Sequence, residues 1–168
     1  MKLVLKIVGG LVAVGVIALI GIQFVPVQRT NPPVVSEPKW DSPQTKALAE
    51  RACFDCHSNQ TKWPWYSYVA PMSWFVADHV QEGRDKLNFS EWGMARGGEG
   101  EEGEEGEGGE GGEGGRSDDV ARAVEKGKMP MESYLLMHPE ARLSPAETQA
   151  LVAGLKATFG PGEGAMTK

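Results

Sequence analysis

Cysteine and histidine are scarce in this chain, with two Cys and three His among 168 residues. A structural zinc site takes four ligands, usually as two pairs. With no third cysteine, and with His79 and His138 not at paired spacing, that chemistry is disfavoured. No run alternates apolar and polar residues as a half-buried strand does, so a sheet-based fold is excluded and the folded part reads as all-α. A concentrated basic stripe is missing too. The formal net charge is −6, but eight of the 23 acidic residues fall in one Gly/Glu tract, 97–115. Outside it, 17 basic residues face 15 acidic ones, a balance of +2. A nearly neutral body offers no nucleic-acid surface, so no nucleic-acid partner is expected.

What the chain does have begins with the run "MKLVLKIVGGLVAVGVIALIGIQFV", in which 23 residues from Leu3 to Val25 carry Lys6 as their only charge. As a helix rising about 1.5 Å per residue, it spans roughly the 30 Å of a bilayer core. Residues 1–25 are therefore read as a single transmembrane anchor. Lys2 and Lys6 hold the amino-terminal end in the cytoplasm by the positive-inside tendency, and the remainder emerges on the far side. A cleaved signal peptide shares the positive start and apolar middle, but the run is long for one and no small-x-small cleavage site follows. Either reading exports the rest of the chain.

Five prolines between Pro26 and Pro43 favour extended polyproline-like backbone. Residues 26–43 read as a stalk, with the alternative that its last residues lie on the domain. A domain spanning 40–160 follows, with about four helices. The first is expected in "DSPQTKALAERACFDCH", capped by Asp41 or Ser42 with Pro43 at the first helical position. The second, "PMSWFVADHVQEG", is expected to start with Ser73 as cap and stop at Gly83. The third, "SDDVARAVEKG", has Ser117 as cap and Gly127 after its last turn. The fourth, "LSPAETQALVAGLKATFG", shows a capping box of Ser144 and Glu147, Pro145 at the first position, and Leu151, Leu155 and Phe159 on one side.

Between the second and third helices, the tract 97–115 holds eleven Gly and eight Glu and no apolar side chain. Charge repulsion and the entropy of glycine predict a disordered insertion, or an acidic tether for basic partners or cations. Residues 161–168 read as a flexible tail. Without the tract, Trp40 to Gly160 amounts to roughly 100 residues, little for a core made of side chains alone.

Both cysteines lie in "RACFDCHSNQTKWPWYS". Redox thiol pairs also use Cys-x-x-Cys, but at a helix start in a βαβ setting, and no strand pattern surrounds this pair. Covalent haem attachment needs two thiols for the two vinyl groups of one porphyrin and an imidazole for the iron. Cys53 and Cys56, one helical turn apart, with His57 next, meet that need. An exported domain would be delivered to the compartment where such haem is attached, and a buried porphyrin would supply apolar bulk that the small core lacks. One covalent haem c is the expected cofactor. Trp63, Trp65, Tyr66 and Trp74 would wall it against water.

The stretches "CFDCHSNQTKWPWYSYVAPMSWFVADHVQEGRDKLNFSEW" and "GKMPMESYLLMHPEARLSPAE" resemble the bacterial haem-binding-domain family of membrane-anchored, cytochrome c-like proteins. The resemblance covers about Trp40 to Phe159 and departs from the family's pattern at the Gly/Glu tract. It implies a monohaem cytochrome c-like fold, and it implies no pathway. In cytochromes of this general type a methionine from a loop before the last helix fills the iron's sixth position. On that ground Met129, in "GKMPMESY", is the expected ligand, with Met131, His138 and an open position as alternatives. Two residues apart in extended backbone, Met129 and Met131 would point to opposite sides. Met72, Met94 and Met137 are read as packing or surface residues, and His79 as a structural or surface group.

The resulting expectation is a single-pass protein of the bacterial inner membrane whose haem domain faces the periplasm or cell exterior. It would exchange single electrons with an unidentified redox protein. The competing expectation is a haem enzyme or a sensor of gas or peroxide with an open or labile sixth position.

Overall fold

A computed structural model describes residues 1–93 and 113–160. Residues 97–112 of the Gly/Glu tract, the tail 161–168 and Met94 lie outside the described residues. Among those described, seven α-helices and two 3-10 turns occur and no strand, so the fold is all-α. Helix α1, Lys2–Ile22, is apolar on every side and buries none of its residues. It is long and apolar enough to cross a membrane.

Helix α2, Pro43–Ala52, starts as the local chemistry demands, with Ser42 Oγ accepting the free Thr45 N–H and Pro43 in the first turn. It does not run on through the Cys-x-x-Cys-His segment. At Cys53 the backbone leaves helical values (φ −129°, ψ −33°), and the four-residue helix α3, Phe54–His57, sets off anew. A 3-10 turn, Trp65–Tyr68, leads to α4, Met72–Lys86. Here Pro71, not Ser73, occupies the cap position, and Gly83 stands inside the helix, which continues three residues past it.

Helix α5, Glu113–Glu125, begins four residues ahead of the expected cap Ser117, so the end of the Gly/Glu tract belongs to the helix. It stops where expected, at Gly127 with φ +64°, a left-handed value that favours glycine. One-turn α6, Glu132–Leu135, and a 3-10 turn, Pro139–Ala141, lead to α7, Pro145–Phe159. The capping box predicted for α7 is complete. Glu147 N–H donates to Ser144 Oγ (3.3 Å), and Ser144 N–H donates to Glu147 Oε2 (2.8 Å).

Helices α2, α5 and α7 close the core over Leu48, Ala49, Ala121, Leu151 and Leu155. The missing side chain of Gly154 lets α7 press against Thr45 of α2, where a Cβ would collide with its hydroxyl. An aromatic cluster finishes this core. Trp40 lies 5.3 Å from Phe89, Phe54 stacks on Phe89 at 5.5 Å, and Trp92 stacks on Phe159 at 4.3 Å between ring centres.

The Pro-rich segment does not project away from this body. Val35 and Ser36 N–H groups both donate to Ser90 O, and Trp92 N–H donates to Ser36 O, forming an isolated parallel bridge. Asn59 Nδ2 donates to Pro33 O (3.1 Å), and Asn31 Nδ2 to Thr61 O (2.9 Å). Arg84 of α4, only 7 % exposed, donates from Nη1 to Thr30 O (2.9 Å) and from Nη2 to Asn31 Oδ1 (3.0 Å). Residues 30–36 thus form a strap across the domain. Polyproline-like backbone has no internal hydrogen bonds to satisfy its N–H and C=O groups, so these remain available for such partners.

Candidate functional site

The break at Cys53 builds the site. Cys53 O accepts from both Cys56 N–H (3.2 Å) and His57 N–H (2.9 Å), which winds the five residues into one tight turn. Phe54, 4 % exposed, pins the back of that turn in the aromatic core. Cys53, Cys56 and His57 are left bordering a cavity of about 120 Å³. Met129, Met131 and Tyr134 close its other side.

Helix α4 supports the turn from behind. The Gly83 position touches Cys56, and a Cβ there would come within 2.5 Å of Cys56 O. Only a residue without a side chain allows this approach. The same closeness lets His57 Nδ1–H donate to Gly83 O (2.9 Å) and Leu87 O (3.2 Å). Because both partners are carbonyls, the proton sits on Nδ1, and Nε2 keeps its lone pair free. Burial holds the His57 pKa below its usual value, with the two carbonyl contacts opposing and the Lys86 charge adding to the depression. A neutral imidazole of fixed tautomer is the form that ligates a metal.

The thiols are not redox-activated. Burial, then the Cys56 charge, pushes Cys53 up to about 12. Burial and the Asp55 carboxylate push Cys56 up to about 11, against the opposing Arg84 charge. Reactive Cys-x-x-Cys centres need depressed values, so the dithiol reading fails on electrostatics as well as context. Among the described residues, no three His, Cys, Asp or Glu side chains gather to hold a metal ion by themselves.

Met129 reaches the cavity because α5 ends in a tight turn. Lys128 and Met129 N–H groups both donate to Ala123 O, folding the chain back beneath the helix. Met129 also packs against the core's edge. The opposite-sided arrangement expected for Met129 and Met131 is not seen, and both border the His57 cavity. The chain here turns into α6, with Met131 as its cap residue, and does not run as extended strand.

A second cavity of about 90 Å³ adjoins the first, sharing Asp55, Cys56, His79, Met131 and Tyr134. His138 borders it with both ring nitrogens engaged, Nε2 with Tyr66 Oη (2.7 Å) and Nδ1 with Glu140 Oε1 (3.0 Å). The Tyr134 ring stacks on His138 at 4.3 Å, and its hydroxyl donates to Asp55 Oδ2 (2.7 Å). Burial and that carboxylate raise the Tyr134 pKa, so its proton stays on. His79 borders both cavities, with Nδ1 bonded to Phe75 O (2.8 Å). Nothing in the sequence around Tyr66, Asp55, Tyr134 and Glu140 signals this linked set, because its members lie up to 85 positions apart.

The three tryptophans expected at the haem are not among the residues bordering either cavity. Trp63 Nε1–H donates to Asn31 Oδ1 of the strap (3.2 Å), Trp65 is exposed, and Trp74 is at the margin of exposure. Met72 and Met137 border the second cavity while remaining exposed.

A family model described as "Haem-binding domain" matches residues 17–157. No curated protein and no solved structure matches the chain. The donor set fits that cofactor. One imidazole has a free Nε2, two protonated thiols stand one helical turn apart, and a thioether side chain borders the same cavity.

Proposed function

Because the chain belongs to the haem-binding-domain family, we propose that it is a membrane-anchored monohaem c-type cytochrome that passes single electrons to and from another redox protein. The observation that carries this reading is the tie of His57 Nδ1 to Gly83 O and Leu87 O, in a cavity shared by Cys53, Cys56 and Met129. When bound, the haem supplies a one-electron ferrous/ferric change. Everything else falls to the chain. Cys53 and Cys56 would hold the porphyrin through thioether bonds. His57 would hold the iron through Nε2, its orientation set by α4. Met129 would fill the sixth position and raise the reduction potential. Helix α1 would anchor the protein in the bacterial inner membrane with its amino-terminal end in the cytoplasm, placing the haem domain in the periplasm or outside the cell.

One observation favours a second reading, that of a haem enzyme or sensor with an open sixth position. Tyr66, His138 and Glu140 form a hydrogen-bonded chain beside Cys56, an acid–base arrangement of the kind that peroxide chemistry uses. The ferric absorption spectrum separates the two. A low-spin spectrum with a sulfur-to-iron charge-transfer band, lost in Met129→Ala, is expected of the carrier. A high-spin wild-type spectrum would reject the carrier and favour the second reading. Acidified organic solvent should leave the haem on the wild-type chain and strip it from Cys53→Ala/Cys56→Ala.

A further inference from the structure

From Trp63 to Ala77 the chain carries no charged residue at all, "WPWYSYVAPMSWFVA". The surface it makes is strongly apolar. Beyond residue 35, eight large hydrophobic side chains are exposed among the described residues, and six of them fall between Trp65 and Phe75. Trp65 is 74 % exposed, Tyr68 60 % and Phe75 49 %. A soluble domain seldom leaves such rings grouped in water.

The patch is fastened to the end of the apolar helix. Gln23, the residue after α1, holds Ala70 in the middle of the patch with both ends of its side-chain amide, while the same Nε2 also donates back to Leu19 O (2.9 Å). Its Oε1 accepts from Ala70 N–H (2.9 Å), and its Nε2 donates to Ala70 O (3.2 Å). Six residues on, the Arg29 guanidinium donates to Ser67 O (3.1 Å) and lies 4.5 Å from the centre of the Tyr68 ring. The place where α1 would leave a bilayer and the place where the domain exposes its rings are therefore one surface.

We propose that the Trp65–Phe75 surface rests in the lipid headgroup layer and seats the haem domain on the membrane. The proposal rests on reading α1 as a membrane anchor. Tryptophan and tyrosine favour that layer because each offers a flat apolar ring with a polar tip. The absence of acidic residues removes repulsion from anionic lipids, and Arg29 stands where a lipid phosphate would lie. Lipid fits the surface better than a protein partner, because the contacts from Gln23 and Arg29 hold it where headgroups would already be.

The test uses the full chain, reconstituted in phosphatidylcholine vesicles that carry a lipid with a photoactivatable diazirine high in its acyl chain. Trypsin then releases three informative peptides, Ile7–Arg29, Trp63–Arg84 and Leu143–Lys156. Label is expected on Ile7–Arg29 and also on Trp63–Arg84, the latter about five-fold above Leu143–Lys156. In Trp65→Ser/Trp74→Ser, label on Trp63–Arg84 should fall to the Leu143–Lys156 level while Ile7–Arg29 is unchanged. If Ile7–Arg29 is labelled and Trp63–Arg84 is not, whether that peptide faces water or a second copy of the chain, the seating surface is wrong and the anchor stands. Label that persists undiminished in the double variant also overturns it. If neither peptide is labelled and alkaline carbonate washes the protein from the vesicles, the anchor reading itself fails.

Discussion

Arg84→Ala is expected to destabilise the domain by about 3–4 kcal/mol. The guanidinium makes four hydrogen bonds. Nε donates to Ser58 O (2.8 Å), Nη1 to Thr30 O (2.9 Å), and Nη2 to Asn31 Oδ1 (3.0 Å) and Thr61 Oγ1 (2.9 Å). Each charge-assisted bond of this kind is worth roughly 1.5–3 kcal/mol. The sum is not realised in full, because burying the charge has its own cost, seen in the lowered Arg84 pKa that desolvation produces. What alanine leaves behind are carbonyl oxygens of Ser58 and Thr30 that have lost their donor, an Asn31 Oδ1 held by Trp63 alone, and a void. Arg84→Lys should recover only part of the loss, since one ammonium cannot reach four acceptors spread over a planar fork. Denaturant unfolding of the full chain in detergent measures the free energy. Hydrogen exchange supplies a local signature, because amides of residues 30–36 should lose protection well before those of α7. Uniform loss of protection would show that Arg84 is not what fastens the strap.

The second large effect is expected at Gly83. Glycine inside a helix costs about 1 kcal/mol relative to alanine, so propensity alone says that Gly83→Ala stabilises. Contact says the reverse. The added Cβ would meet Cys56 O at 2.5 Å and Cys56 Cβ at 3.1 Å, and the nearer atom is backbone with no rotamer to yield. Overpacking of this kind typically costs about 1–3 kcal/mol and can cost more. A net destabilisation of about 2 kcal/mol is expected, so the sign decides between the two effects. The shift would also pull Gly83 O away from His57 Nδ1, loosening the imidazole. If His57 holds the iron as proposed, a change in the haem absorption spectrum should accompany the lower unfolding midpoint. Asp78→Ala, on the exposed side of the same helix and away from both cavities, should leave the spectrum unchanged and stability within about 0.5 kcal/mol.

These two residues mark where sequence reasoning stops. The caps of α2 and α7 were readable because a cap is settled within four residues, as Ser42 with Thr45 and Ser144 with Glu147 show. The spacing of Cys53, Cys56 and His57 was readable for the same reason, since the three stand within five consecutive positions, and the structure brings them to one cavity. Gly83 looked like a helix stop because its true partner, Cys56, lies 27 residues earlier, and only the packed structure brings them together. Asp41–His57 looked like one helix because nothing local announces the break at Cys53, which serves to turn both thiols and the imidazole toward one cavity. The tryptophans of the Trp63–Trp74 stretch were expected around a cofactor on size alone. The indoles that pack on the core are instead Trp40 and Trp92, both half-buried, with Trp92 stacked on Phe159 and Trp40 tilted against Phe89. The strap was hidden for the opposite reason. A Pro-rich stretch has no periodicity to read, and its bonds reach as far as Trp92, 56 positions from Ser36.

The strap bears on how an anchored carrier would meet its partner. Free and extended, the 18 residues 26–43 could lift the domain by up to about 55 Å at roughly 3.1 Å each. With residues 30–36 bound to the domain, that reach is lost, and the height of His57 above the bilayer is set by the fold. An electron donor or acceptor would then have to approach within the plane of the membrane or dock at its surface. Encounter would become a two-dimensional search, with a frequency that follows the surface density of the partner and not its concentration in the compartment beyond.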